Sequence, residues 1–286
     1  PTKRNKKMSY LQQVKKPAPQ APVITIVGFP GVGKSTLGAL FPSPIFIQAE
    51  NASTAFEQWP EEQQPALFPE LPAPNASKGI RPSVVLLDQL RELVTAEHPF
   101  KTVVIDAVTT LHTILEAEVV DYDPNGADNI GEAAGSYGKG YLVVAGIHAK
   151  IRSACEHLRK RGIGVVFLAH TGLAKIKNRP DVEPYATWSI DMHEASRRIY
   201  IANSDAVIYM HSKEFVTGAE SDRKGRNTKL GKIRSTGERV LITASDGTVG
   251  FVDAKNRYRL PGEIEVAEGE NPLLQYIPFY NKPIEG

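Results

Sequence analysis

VITIVGFPGVGKST, residues 23–36, decides how this chain is read. VITIVG is a short run rich in β-branched residues, GFPGVG is a Gly-rich turn, and a helix is expected to open near Lys34. Within it, GFPGVGKST (28–36) satisfies G-x-x-x-x-G-K-[ST] through Gly28, Gly33, Lys34 and Ser35. The chemistry needs that order. Glycines let successive backbone N–H groups converge on phosphate oxygens, and the opening of a helix adds partial positive charge. The lysine has the reach for the β- and γ-phosphates, and the following hydroxyl suits Mg²⁺. The expected nucleotide-binding set is therefore Gly28, Pro30, Gly31, Val32, Gly33, Lys34, Ser35 and Thr36, with ATP and Mg²⁺ as cofactors.

Outward from this motif, strand-like and helix-like segments alternate. PIFIQAE (44–50) reads as a second buried strand, KTVVIDAV (101–108) as a third and IGVVFLAH (163–170) as another. SVVLLDQLRELVTAEH (83–98) and YLVVAGIHAKIRSACEHLRKRG (141–162) have helical periodicity, and a helix is expected from about residue 108 to Val120. The prolines at 60, 65, 69, 72, 74 and 82 mark an irregular insertion. Residues 121–140 and 171–193 read as loops, AVIYM (206–210) as a strand, and shorter strands and turns fill the chain to about residue 266. This alternation predicts an α/β fold, a mostly parallel sheet with helices on both faces and antiparallel strands added late.

Composition sets the outer limits. The chain has 286 residues, ample for a sizeable core, and 34 Lys and Arg against 32 Asp and Glu leave a formal charge of only +2. Any polyanion site must therefore come from local clustering. No apolar run approaches the roughly 18 residues of a membrane span. PTKRNKKMSY lacks the apolar core of a secretory signal, and Cys155 is the sole cysteine, which excludes an intrachain disulfide and a cysteine-based zinc site. A cytoplasmic protein is expected, in a host cytoplasm if phage-encoded. Residues 1–20 carry Lys3, Arg4, Lys6, Lys7, Lys15 and Lys16 without an acid and end in a Pro-rich stretch, a basic arm and linker that is either a solvated tail or a DNA contact.

Hydrolysis needs two carboxylates near the phosphates. Asp106 ends the apolar run TVVID at the carboxyl edge of a strand, where it suits Mg²⁺ together with Ser35, or else caps the next helix. Ala107 follows it, so an adjacent acid is absent. Glu50, at the end of IFIQAE, is the candidate to orient the attacking water, or else is an ordinary loop acid.

These residues together resemble the RecA-like ATPase core over residues 21–266, which makes 267–286 a C-terminal tail. The resemblance implies that Glu50 is the catalytic carboxylate and that His170, where the family usually has Gln, senses the γ-phosphate. GFVDAKNRYRLPG (250–262) resembles the strand of recombinases and ring helicases that delivers a basic pair into the neighbouring subunit's nucleotide, here Lys255 and Arg257, against the alternative of a solvated strand. SYGKGY, the His170–Thr171 strand end and DAKNRYRLPGEIEV look closest to the phage Sak-type single-strand-annealing ATPases. That resemblance implies a homo-oligomer, ring or filament, that binds single-stranded DNA, with a single-strand-binding protein as a candidate partner. The DNA loops would be 121–140 and 171–193. The second carries Lys175, Lys177, Arg179, Tyr185 and Trp188, cations and aromatic platforms of the kind single strands require, although a lid or a subunit contact would also suit it. A ring-shaped helicase or translocase, and a slow ATP-gated mediator that recruits a partner, share these motifs.

Overall fold

The computed structural model describes residues 18–174, 186–218, 220–221, 227–229, 232–244 and 252–281, with Val14 and Lys16. In chain order the elements are β1 (Val23–Gly28), α1 (Lys34–Ala39), β2 (Pro44–Gln48), β3 (Ala66–Leu67), α2 (Pro82–Thr95), β4 (Thr102–Asp106), α3 (Val108–Asp121), α4 (Lys139–Lys160) and β5 (Gly164–Ala174). There follow β6 (Thr187–Ile190), α5 (Glu194–Ala202), β7 (Ala206–Thr217), β8 (Glu220–Ser221), β9 (Asn227–Lys229), β10 (Lys232–Ile242), β11 (Lys255–Asn256), β12 (Glu263–Val266) and α6 (Leu273–Tyr276).

The main sheet runs β12-β10-β7-β1-β5-β4-β2-β3. Every pairing from β7 to β3 is parallel, whereas β10, β11 and β12 join antiparallel. The parallel strands are buried on both faces, so their sequences are nearly continuous apolar runs. Val23 and Val27 of β1 face one cluster with Leu86, Leu111, Ile151 and Leu158 from α2, α3 and α4. Ile24 and Ile26 face the other, with Leu37, Phe46, Leu273 and Ile277. Each such side chain contributes roughly 1.5–3 kcal/mol by leaving water. The segment after residue 266 thus packs Leu273 and Ile277, both fully buried, into the core. Among the described residues no helix is long and apolar enough to cross a membrane.

In three places the structure differs from the sequence reading or extends it. The strand expected to stop at His170 continues to Ala174, and β6 returns antiparallel to it, so what reads as a loop over 171–193 is in part the stem of a hairpin. Lys175, Lys177, Arg179 and Tyr185 lie outside the described residues. The helix α5, EASRRIYIA, has no counterpart among the expected elements; its buried Ser196 and Tyr200 form too narrow a stripe to show in sequence. Finally, β7 runs on past Met210 to Thr217.

Candidate nucleotide site

The site forms where β1 and β4 end and where β5, at His170, passes the end of β1. Gly28 pairs with His170 on one side and Met210 on the other. A side chain at Gly28 would meet the Met210 carbonyl oxygen at 2.5 Å, so only glycine lets these strands approach. Gly33, with φ +103°, turns the loop into α1 through a conformation that L side chains rarely adopt.

Lys34 lies buried under the loop, its Nζ donating to the carbonyls of Gly28 and Phe29 at 3.0 Å each. Its third contact is Nδ1 of His170 at 3.3 Å. Burial lowers its pKa, while the Asp106 and Glu50 carboxylates oppose that shift. Across the imidazole, Nε2 of His170 meets Oε2 of Glu50 at 3.3 Å. With Lys34 as donor to Nδ1, the network assigns the proton to Nε2, which donates to Glu50. His170 therefore links the phosphate lysine to the candidate catalytic carboxylate. Glu50 also accepts from Thr110 Oγ1 at 2.6 Å. The His170 bond is the largest cause holding its carboxyl below the usual range, with the Thr110 bond and the Lys34 charge acting the same way against burial. The His170 and Glu50 side chains remain 24% and 35% exposed, so water can reach them.

Backbone contacts hold these groups in register. The amides of Ala49 and Glu50 both donate to the Asp106 carbonyl, at 2.8 and 3.2 Å, so β4 positions the loop that carries Glu50. Thr109 Oγ1 accepts from the His170 amide at 3.2 Å. Thr109 and Thr110 join the site without a sequence signal of their own, beyond the fact that VVIDAVTT puts them one turn past Asp106.

Asp106 Oδ2 accepts from Ser35 Oγ at 2.6 Å. Among the described residues its Oδ1 is buried without a hydrogen-bond partner. Burial, then the nearby Glu50 charge, pushes this carboxyl up to about 6, against the Ser35 bond and Lys34. An orphaned carboxylate oxygen beside a hydroxyl is a fitting pair of Mg²⁺ ligands. Among the described residues no group of three or more His, Cys, Asp or Glu could hold a metal ion. Mg²⁺ is commonly held by only one or two protein groups plus substrate phosphates, which this pair matches.

Pro30, Gly31, Gly33, Lys34, Ser35 and Thr36 line a cleft of about 490 Å³ with Glu50, His170 and Arg239. A second cavity of about 380 Å³ adjoins it, and Gly33, Thr36 and Arg239 border both. Trp59 and Leu40 form one of its walls and residues 266–270 another. Trp59 packs edge-to-face on Phe56, which does the same on Phe46.

The other expected residues are placed elsewhere. Trp188 is half-buried, its ring edge-to-face with Phe29 of the loop at 5.2 Å between centroids. Lys255 and Arg257 lie at the opposite edge of the sheet. Arg257 donates to Asp205 at 3.3 Å, and the Asp205 amide donates to the Val23 carbonyl at the start of β1. Lys255 Nζ donates to the Ala202 carbonyl. The length of β1, about 17 Å, separates this pair from the loop of its own chain.

A family model described as an AAA domain matches residues 20–258, most of the chain, with the P-loop, Glu50, Asp106, His170 and Arg239 inside the match. No curated protein matches. Among solved structures, the KaiC-like protein of the hyperthermophilic archaeon Pyrococcus horikoshii is 14% identical over 78% of this chain and 79% of its own, with a TM-score of 0.38. With its P-loop between β1 and α1 and its acidic residues on the adjoining strand ends, the chain belongs to the AAA_24 family of AAA domains.

Proposed function

We propose that this protein is a Mg²⁺-dependent ATPase of the phage RecA-like type that acts on single-stranded DNA in recombination or annealing, as a homo-oligomer with nucleotide at subunit interfaces. The observation that carries the ATPase part is the Lys34–His170–Glu50 chain facing the Ser35–Asp106 pair. In this reading Lys34 binds the β- and γ-phosphates, and Ser35 and Asp106 hold Mg²⁺. The cation would neutralise phosphate charge. Glu50 orients a water and accepts its proton as the water oxygen bonds to the γ-phosphorus and the bond to the β-phosphate oxygen breaks. His170, donating to Glu50 and accepting from Lys34, reports the position of the lysine to the carboxylate. The ribose and base extend into the cavity beside Trp59.

The DNA reading rests on how the two candidate loops meet the site. The β5–β6 hairpin grows from the strand that carries His170 and touches the P-loop through Trp188 and Phe29. Tyr141, on the first turn of α4, stacks on His193 just beyond β6, with centroids 4.4 Å apart. That contact joins the 121–140 segment to the hairpin. Tyr137 of that segment is 96% exposed and offers its ring face as a stacking platform. The Lys255–Arg257 pair, remote from its own P-loop, is assigned to the neighbouring subunit's nucleotide.

The test is ATP turnover with and without single-stranded DNA. Stimulation by the DNA, with a Tyr137→Ala variant that binds it about 5- to 100-fold more weakly, supports the reading. Slow turnover indifferent to DNA favours the ATP-gated mediator, and unwinding of a forked duplex favours a ring-shaped motor.

A further inference from the structure

Arg239 is 206 residues from Gly33 in sequence, yet its guanidinium lies against it. A side chain at Gly33 would meet Nη1, Cζ and Nε of Arg239 at 3.0, 3.1 and 3.3 Å. The fold makes a specific arrangement to put it there. Ser235 of β10 pairs with Glu214, but Arg239 pairs with Ser212, so β10 fits two more residues than β7 into the same interval. Gly237, with φ +83°, turns inside that bulge. Bulges re-aim side chains. Leu241, two residues on and therefore on the same face, packs in the cluster that contains α1. The re-aimed face is thus the one that carries α1 and the start of the P-loop helix.

Among the described residues Arg239 has no carboxylate within ion-pair range and no hydrogen-bond partner, unlike Arg257 and Arg159, which share Asp205. A permanently charged guanidinium left free beside phosphate-binding backbone is fitted for a phosphate oxygen, which it can hold with two donors at once. Its place in the cleft says which phosphate. Lys34, Ser35, Glu50 and His170 line only the phosphate cleft, whereas Arg239 sits with Gly33 and Thr36 at the junction with the cavity beside Trp59. In a nucleoside triphosphate that junction corresponds to the α- and β-phosphates, next to the ribose.

We infer that Arg239 is a nucleotide-contacting cation supplied by the same chain as the P-loop, gripping the α- and β-phosphates at the junction of the cleft with the cavity beside Trp59. The inference rests on the nucleotide reading of the P-loop. Arg239 then contributes to holding both ADP and ATP and leaves the γ-phosphate to Lys34, Glu50 and His170.

The experiment measures ADP and ATP affinity by calorimetry, with steady-state turnover alongside. Arg239→Ala is expected to weaken both nucleotides by about 10- to 100-fold and by similar factors, the loss of a charge-assisted hydrogen bond. KM should rise in step while kcat at saturation changes less than about threefold. Arg239→Lys should recover part of the affinity, and an unchanged melting temperature in both variants excludes loss of fold. Mixtures of Arg239→Ala with Lys34→Ala subunits should turn over no faster, per Arg239→Ala subunit, than pure Arg239→Ala at the same ATP, because both groups are needed from one chain. ADP affinity within about twofold of wild type, a fall in kcat with KM unchanged, or recovery in the mixture would each overturn the inference. If the wild-type protein binds neither ADP nor ATP, the nucleotide reading fails first and takes this one with it.

Discussion

The two edges of the sheet use cations in opposite ways. At the carboxyl edge Lys34 rests on two loop carbonyls and on an imidazole, and Arg239 among the described residues has no ion-pair partner. At the amino edge one buried carboxylate, Asp205, is met by Arg159 at 3.0 Å, Arg257 at 3.3 Å, the Tyr258 hydroxyl at 3.3 Å and the Val23 amide at 3.0 Å. Buried charge is stable when fully paired, so the amino edge reads as a fastening for β1, β7 and α4. The carboxyl edge keeps strong donors weakly engaged, which costs stability and leaves them available to an anion. Only Arg257, whose side chain is 60% exposed, belongs to both descriptions.

Lys34 should separate the two edges by the widest margin. Lys34→Ala should abolish ATP turnover, because it removes the ammonium that the proposed mechanism sets against the β- and γ-phosphates. The melting temperature should move only a few degrees, since the native fold gives up two carbonyl hydrogen bonds from an ammonium whose burial is itself unfavourable. Retained turnover in that variant would remove the P-loop from the mechanism.

Arg257 decides whether the amino edge is a fastening alone. If it acts on the neighbouring subunit's nucleotide, Arg257→Ala lowers turnover by about 10³-fold or more, and mixing it with Lys34→Ala rebuilds sites that hold both groups. Co-assembled mixtures should then recover a measurable fraction of wild-type turnover. If Arg257 is only part of the Asp205 fastening, Arg257→Ala keeps near-wild-type turnover on its own, Lys34→Ala subunits add nothing to it, and the variant loses about 1 kcal/mol or less, as expected of a largely exposed ion pair.

The smallest effect concerns the helical face between the edges. His112 Nδ1 meets His148 Nε2 at 3.1 Å, and His148 Nδ1 meets the Tyr200 hydroxyl at 2.7 Å, tying α3, α4 and α5. Burial depresses His148 to about 3 and His112 to about 4, from an ordinary 6.5. The unfolded chain therefore binds protons first as pH falls. The stability is fully present above about 6.5 and drains away below it, by roughly 2 kcal/mol per histidine between pH 6.5 and 5. Urea unfolding at those two pH values should show the loss, and His148→Asn should reduce it. An equal loss in the variant would assign the acid sensitivity to other groups.

What sequence makes legible follows from how locally each feature is encoded. The P-loop is nine consecutive residues, and Asp106 and Glu50 end apolar runs, so their places at the carboxyl edge follow from strand polarity alone. Arg239 is legible only as one cation in a basic stretch. Its position depends on a bulge and on the pairing of β10 with β7, which no local pattern encodes. Trp59 is hidden in a Pro-rich insertion for the same reason. The β6 strand, TWSI, is four residues long, and its pairing with β5 is set by the sheet rather than by its own periodicity. Arg257 belongs to a short motif that gives its spacing but says nothing of Asp205, 52 residues earlier.

Whether the Lys34–His170–Glu50 chain is hydrolytic machinery comes down to Glu50→Gln. Glutamine keeps the size of the side chain and can still accept from Thr110 and His170, but it cannot take a proton from water. A single-turnover measurement with radiolabelled ATP, on protein shown by calorimetry to bind ATP with wild-type affinity, isolates the chemical step. If Glu50 is the base, that step falls by about 100-fold or more. Near-normal hydrolysis in Glu50→Gln would contradict this and reduce the Glu50–His170 contact to a structural pair.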